Sequence, residues 1–474
     1  MRTIALSATI TVAIAFAASG PAAGSHSPAA TPLNDLGSGL YLGAYEGGLY
    51  EGGANTAPAD HNAAGAAKAA AITPLDAAGA AAPGGKVVLL SVGMSNTTQE
   101  FCSASSALPC DPWTFMGLAA ADATVNHTGL VIVNGAAGGQ TASAWDSPLD
   151  ANYDRVRDTR LTPSGVTEAQ VQAAWVKVAN AGPTSSLPAA NADAYTLETL
   201  TGSVVRAMKA RYPNLQMVFL SSRIYAGYAT TALNPEPYAY ESGLAMKWLV
   251  QAQVDQARNG GVIVDPHGGN LGYAAGMAPW LGWGAYLWAD GLVPRSDGLT
   301  WAATDFAADG THPSTSGRGK VGDLLFDFFK ASSYARCWFL ADSDGDGVAD
   351  VCESVADSDG DGYLDSAEAW VGTDPADACG SLAWPADLVV GGIIDSTNRL
   401  TLTDLTSFLA PLRRIDTSPG DGGYDVRWDL VPGPGLFMEE INLHDLTALL
   451  AGPTGYPPMF GGVRAFDGPA CPSP

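Results

Sequence analysis

Between Lys86 and Ala335 the chain alternates short apolar runs with helix-like stretches, and this alternation limits what it can fold into. The runs are Val87–Val92, Leu130–Val133, Ala173–Val178, Met217–Ser221 and Val262–Val264. Helical patterning falls between and after them, at Thr196–Arg211, Tyr240–Arg258 and Gly319–Lys330. Strands apolar on both faces and separated by helices indicate a parallel sheet covered on both sides. One α/β domain over 86–335 is therefore predicted, a flavodoxin-like three-layer fold around a five-stranded parallel sheet.

The segments before it read differently. Met1-Arg2 followed by the apolar stretch Ile4–Ala18 matches an export signal, with cleavage after Ser19 or Ala23. That stretch is too short to span a bilayer as a helix. Residues 24–85 are rich in Ala, Gly, Pro and Ser, and are predicted to be a mostly flexible linker, with order beginning at Lys86. Six cysteines in an exported chain point to disulfides. Cys102 and Cys110 are near enough to close one loop, and three pairings stay open for Cys337, Cys352, Cys379 and Cys471.

The net charge is −25. It argues against nucleic acid and anionic membrane as partners, because both need clustered Lys and Arg. The acid is concentrated. Residues 337–380 carry 12 of the 48 Asp and Glu and no Lys or Arg. Such a block repels itself unless a cation neutralises it.

The spacing within the block supplies the cation site. Asp342, Asp344, Asp346, Asp350 and Glu353 fall at positions 1, 3, 5, 9 and 12 of an EF-hand-type loop, with Gly347 at position 6 and the Val348 carbonyl at position 7. Asp357, Asp359, Asp361, Asp365, Glu368 and the Tyr363 carbonyl repeat the pattern. Only Ser354, Val355 and Ala356 separate the two loops, too few for helix–loop–helix hands. The segment resembles thrombospondin type 3 repeats. That resemblance implies structural Ca²⁺ in a stiffened spacer over 336–380. The competing reading is a bare acidic linker.

Catalytic chemistry gathers at the ends of the predicted strands. The first ends in Val92-Gly93-Met94-Ser95-Asn96 and the second in Asn134-Gly135-Ala136-Ala137-Gly138-Gly139-Gln140-Thr141. Asp309-Gly310-Thr311-His312-Pro313 precedes the last helix. A serine needs a base to become a nucleophile, and the base needs an orienting group. Glycines at a strand end let main-chain N–H groups approach a ligand closely.

In this order the blocks resemble those of the SGNH hydrolases, the GDSL-type esterases and lipases, over residues 86–335. The resemblance implies that Ser95 is the nucleophile, His312 the base and Asp309 its orienter. It implies Gly139 as an oxyanion donor. Met94 stands where the family has Asp. The family's Gly-x-Asn-Asp block has no full counterpart, and Asn180, in Lys177-Val178-Ala179-Asn180, is the candidate for the oxyanion Asn. The implied activity is carboxylic ester hydrolysis on small acyl esters, including acetyl groups on carbohydrate. The rival is a non-catalytic, calcium-stabilised surface or adhesion protein that keeps such a fold.

Other features are read more plainly. Trp280, Trp283, Trp288, Trp301 and Tyr286 are taken as core rather than as a sugar platform. His127 and His267 are taken as loop residues. Over 381–474, Leu400–Thr406 and Ile441–Thr447 repeat one another, each followed by an apolar helix-like segment. They resemble dockerin duplicates with degenerate calcium loops, Asp404 and Asp445 matching the last loop position. That resemblance implies a small, mainly helical module that takes a protein partner.

Overall fold

A computed structural model describes residues 30–82, 84–103, 108–341 and 402–428, with positions 349, 352, 372–374, 376, 388, 441 and 445–446. Five parallel strands form the central sheet: β1 (Val87–Gly93), β2 (Leu130–Asn134), β3 (Val171–Lys177), β4 (Met217–Leu220) and β5 (Trp280–Trp283). Their order is β2-β1-β3-β4-β5. In register, Val88 lies beside Val131, Leu90 beside Ala174, Trp175 beside Phe219, and Phe219 beside Gly282. This is the doubly wound order of flavodoxin-like folds, and its direction reverses at β1.

Alternation along each strand builds two cores. Val88, Leu90, Val92, Ala174, Val176, Val218, Leu220 and Leu281 face one side. There they meet α4 (Ala151–Val156), α5 (Asp193–Arg211) and α6 (Tyr238–Arg258). Val87, Leu89, Ala173, Trp175, Met217, Phe219 and Trp280 face the other. That side is closed by α2 (Ser95–Phe101), α3 (Phe115–Ala121) and α7 (Thr315–Ala331). A period of two thus feeds both layers, as a sheet covered on both faces requires.

Two expectations fail. Val262–Val264 is no strand: it is an exposed loop after α6, and Val262 is 83% exposed. Three apolar residues behind Gly260-Gly261 are too few to enter a sheet already filled. The fifth strand is Trp280-Leu281-Gly282-Trp283, built from aromatics that suit a pleated, buried surface. The core reading of the tryptophans agrees with this placement, since Trp280, Trp283, Trp288, Trp301 and Tyr286 are all buried.

Residues 30–82 are likewise folded rather than a flexible linker. Leu33 is fully buried, and α1 (Ala59–Ala70) packs on β5. Alanine is the best helix former, so an Ala-rich stretch needs few large side chains to become a helix. A Cβ on Gly65 would come within 2.5 Å of the Trp280 ring, so the small residue lets the helix approach closely. His61 Nε2 bonds the Leu281 carbonyl at 2.8 Å, and Trp283 Nε1 donates to the Leu49 carbonyl at 2.7 Å. The segment therefore covers the β5 edge, which would otherwise offer unpaired backbone to other chains.

Disulfides join Cys102 to Cys110 and Cys337 to Cys352. Cys379 and Cys471 lie outside the described residues. In the C-terminal part a helix spans Leu402–Ser407, Trp428 Nε1 donates to Ser407 Oγ at 2.6 Å, and Thr417 pairs antiparallel with Ile441. Asp404 and Asp445 are buried. No helix among the described residues is long and apolar enough to cross a membrane.

Candidate active site

Because all five strands are parallel, the loops that follow them gather at one edge of the sheet, where ligands bind in open α/β folds. Ser95 is the first residue of α2, immediately past β1. The turn that presents it depends on Gly93. A Cβ there would sit 2.2 Å from the Lys177 carbonyl oxygen and 2.4 Å from Thr97 Oγ1, so β1, β3 and α2 can meet only if this residue lacks a side chain.

The rest of α2 is tied down residue by residue. Asn96 Nδ2 donates to the Thr311 carbonyl at 2.9 Å, Thr97 Oγ1 to the Lys177 carbonyl at 2.7 Å, and Asn134 Nδ2 to Thr98 Oγ1 at 2.6 Å. The Asn96 bond links the serine's helix directly to the loop that carries the histidine.

That loop is a tight reversal. The Gly310 N–H donates to the Ala307 carbonyl at 2.9 Å, and the Ala307 N–H to the His312 carbonyl at 2.8 Å. Gly310 has φ +65°, and a Cβ on it would lie 1.8 Å from the Tyr228 carbonyl oxygen. Only glycine satisfies both demands. The Thr230 N–H donates to the Asp309 carbonyl at 2.9 Å and fixes the loop from the segment after β4.

The structure brings Ser95, His312 and Asp309 together. Ser95 Oγ is 2.8 Å from His312 Nε2, and His312 Nδ1 is 2.5 Å from Asp309 Oδ2. With Nδ1–H donating to the carboxylate, the Nε2 lone pair faces the serine hydroxyl. Burial alone would raise the Asp309 carboxyl. The bonds from the His312 ring and from the Thr311 and His312 N–H groups outweigh it and hold the group below its usual range. All three side chains keep some contact with solvent, His312 being 25% exposed.

The expected oxyanion donors are placed unequally. The Ala137 N–H bonds the Gly93 carbonyl at 3.1 Å, which draws the loop after β2 against the serine turn. Gly139, two residues on, is exposed with φ +75° and open space around it. Asn180 is turned elsewhere: its Nδ2 donates to the Asp193 carbonyl at 2.8 Å at the start of α5. His267 lies in an exposed loop, stacked on Tyr195.

A charged layer under the site escaped the sequence reading. Lys177 Nζ donates to Glu100 Oε1 at 2.6 Å and also reaches Oε2, both side chains being fully buried. Burial pushes Glu100 up and Lys177 down to about 8, against their mutual attraction. Arg223 is also buried, with Nη1 3.6 Å from the Met94 sulfur. The available signal was a lysine closing the apolar stretch Ala173-Ala174-Trp175-Val176.

The calcium-loop positions Asp342, Asp344, Asp346, Val348, Asp350, Glu353, Asp357, Asp359, Asp361, Tyr363, Asp365 and Glu368 lie outside the described residues.

No family model matches the chain, and no curated protein matches it. Three solved structures are similar to it at low identity. A GDSL-like lipase from Parabacteroides merdae is 14% identical with a TM-score of 0.28, over 54% of this chain and 97% of its own. An extracellular lipase from Streptomyces rimosus is 16% identical with a TM-score of 0.25, over 51% of this chain and 99% of its own. A carbohydrate esterase family 2 enzyme with a carbohydrate binding domain, from Corynascus thermopiles (Myceliophthora fergusii), is 15% identical with a TM-score of 0.25. That match covers 52% of this chain and 66% of the other.

Proposed function

We propose that the protein is an exported serine esterase of the SGNH type acting on small acyl esters, acetyl groups on carbohydrate included. One observation carries the reading: the unbroken chain from Ser95 Oγ through His312 to Asp309 at the strand-end edge. His312 Nε2 takes the proton as Ser95 Oγ bonds to the ester carbonyl carbon. The resulting oxyanion accepts from the Ser95 and Gly139 N–H groups. His312 returns the proton to the departing alcohol, leaving an acyl-serine. Water then enters with His312 again as base, and the carboxylic acid leaves. The Asn180 amide commits one of its two N–H groups to the Asp193 carbonyl, and the main-chain donors carry this reading of the oxyanion site. Disulfides suit an oxidising compartment outside the cytosol.

A serine-directed fluorophosphonate tests the reading. Wild-type protein is expected to be labelled and to hydrolyse p-nitrophenyl acetate, and Ser95→Ala to do neither. Absence of both in the wild type would leave the non-catalytic surface-protein reading.

We further propose that the two acidic loops bind structural Ca²⁺ through the twelve residues named above, the Val348 and Tyr363 carbonyls among them. The dockerin-like repeats would then dock a protein partner. The metal supplies charge neutralisation to a block without Lys or Arg. A chelator is expected to lower the melting temperature and to speed proteolysis between 341 and 379, with re-added Ca²⁺ reversing both. A protein indifferent to chelator would refute structural calcium.

A further inference from the structure

The triad stands on a buried ion pair that no step of the proposed reaction uses. Glu100 sits on α2 five residues after Ser95, and Lys177 is the last residue of β3. Lys177 grips α2 twice. Its main-chain oxygen accepts from Thr97 Oγ1 at 2.7 Å, and its ammonium donates to Glu100 at 2.6 Å. Thr97 and Glu100 are three apart, so they lie on one face of the helix. Both holds act on the helix whose first residue is the serine.

Stability is a poor reason for such a pair. Desolvating two charges offsets their attraction, and apolar replacement of a buried pair is often neutral or stabilising. The surroundings are already crowded with charge. Arg223 lies in the same layer, with Nε and Nη2 lacking an acceptor among the described residues. Glu236 is occupied by the Ala226 and Tyr240 N–H groups and by Trp288 Nε1. Geometry is the reason that remains. A hydrogen-bonded pair fixes the rotation and height of α2 on β3 more narrowly than apolar packing, which tolerates sliding.

We propose that Glu100 and Lys177 are positioning residues for Ser95: the pair sets α2 against β3 so that Oγ meets His312 Nε2. The kinetic test rests on the esterase reading, and a structural readout frees it from that dependence.

The test compares Lys177→Met, the double variant Lys177→Met/Glu100→Leu, and Thr97→Val. Lys177→Met leaves a buried carboxylate without a partner and is expected to lower the melting temperature. The double variant is expected to recover that loss. It should still show kcat at least tenfold below wild type, with KM within threefold and fluorophosphonate labelling slowed in proportion. Thr97→Val, which removes the hold on the Lys177 carbonyl together with the acceptor of the Met94 N–H and touches no charge, is expected to lower kcat at least threefold at unchanged KM.

A double variant that recovers both stability and wild-type kcat would make the pair structural only and overturn the proposal. If the double variant does not fold, Glu100→Gln/Lys177→Met, which breaks the pair at near-native volume and leaves no buried charge on either residue, decides, and wild-type kcat there overturns it. If the wild type neither labels nor turns over ester, the esterase reading fails by itself. The inference is then read from crystal structures of wild type and the folded pair variant. A lengthening of the Oγ–Nε2 distance beyond about 0.5 Å supports it, since catalytic constellations must hold within that margin, and an unchanged distance overturns it.

Discussion

His312→Ala is expected to lower kcat for ester hydrolysis by about 10⁴-fold or more, with KM little changed. The imidazole is the group within reach of the Ser95 proton, at 2.8 Å, and alanine leaves the hydroxyl near its ordinary, weakly nucleophilic state. Removing the base of a working triad costs on the order of 10⁶ in kcat, and the remaining 10³–10⁴ over water comes from oxyanion and binding contacts. Asp309→Asn should cost about 10⁴, because an amide donor at this position favours the wrong imidazole tautomer. The two effects should not add, since both disable one unit. Steady-state kinetics with p-nitrophenyl acetate, alongside circular dichroism to verify the fold, decides the matter. A His312→Ala protein within tenfold of wild type would remove His312 from the role of base.

The meeting of Ser95, His312 and Asp309 was legible because these residues sit where strand ends and one loop place them. Gly93-Met94-Ser95 closes an apolar run, and Asp309 and His312 share one turn before a helix. Four of the five strands were legible for the same reason: apolar runs largely buried on both faces leave a near-continuous signal. The fifth was hidden by its composition. Trp280-Leu281-Gly282-Trp283 reads as an aromatic cluster, whereas the aliphatic Val262–Val264 has nothing to pair with. The folding of residues 30–82 was hidden by scale. Their large buried apolar groups, Leu33, Tyr50, Ile72 and Leu75, are few. Their contribution to β5 runs through bonds between ring nitrogens and main-chain carbonyls and the closeness that Gly65 permits, which no periodicity announces. Lys177 shows a third limit. A charge on a strand marks either an exposed edge or a buried pair, and its partner Glu100 is 77 residues away on another element.

The serine turn gives the second large effect. Gly93→Ala is expected to destabilise the domain by about 3 kcal/mol, combining overpacking with loss of one buried hydrogen bond. For a domain of this size that corresponds to a fall in melting temperature of roughly 6–12 °C. The added methyl meets two atoms that cannot both withdraw. The Lys177 oxygen is main chain inside the sheet, and Thr97 Oγ1 is bonded to that same oxygen at 2.7 Å. The strain must open the carboxyl end of β1 from β3, and this displaces the start of α2. A displacement of about 1 Å at a nucleophile costs on the order of 10² in rate, so labelling should slow by that factor in whatever fraction stays folded. Gly319→Ala in α7 supplies the contrast. Its Cβ would meet Trp113 at 3.8 Å, an ordinary contact, so the same substitution should raise stability by about 0.5–1 kcal/mol. Thermal unfolding of the two variants separates close approach from mere glycine content. If Gly93→Ala melts with the wild type, then β1, β3 and α2 are not packed as tightly at the serine as these distances require.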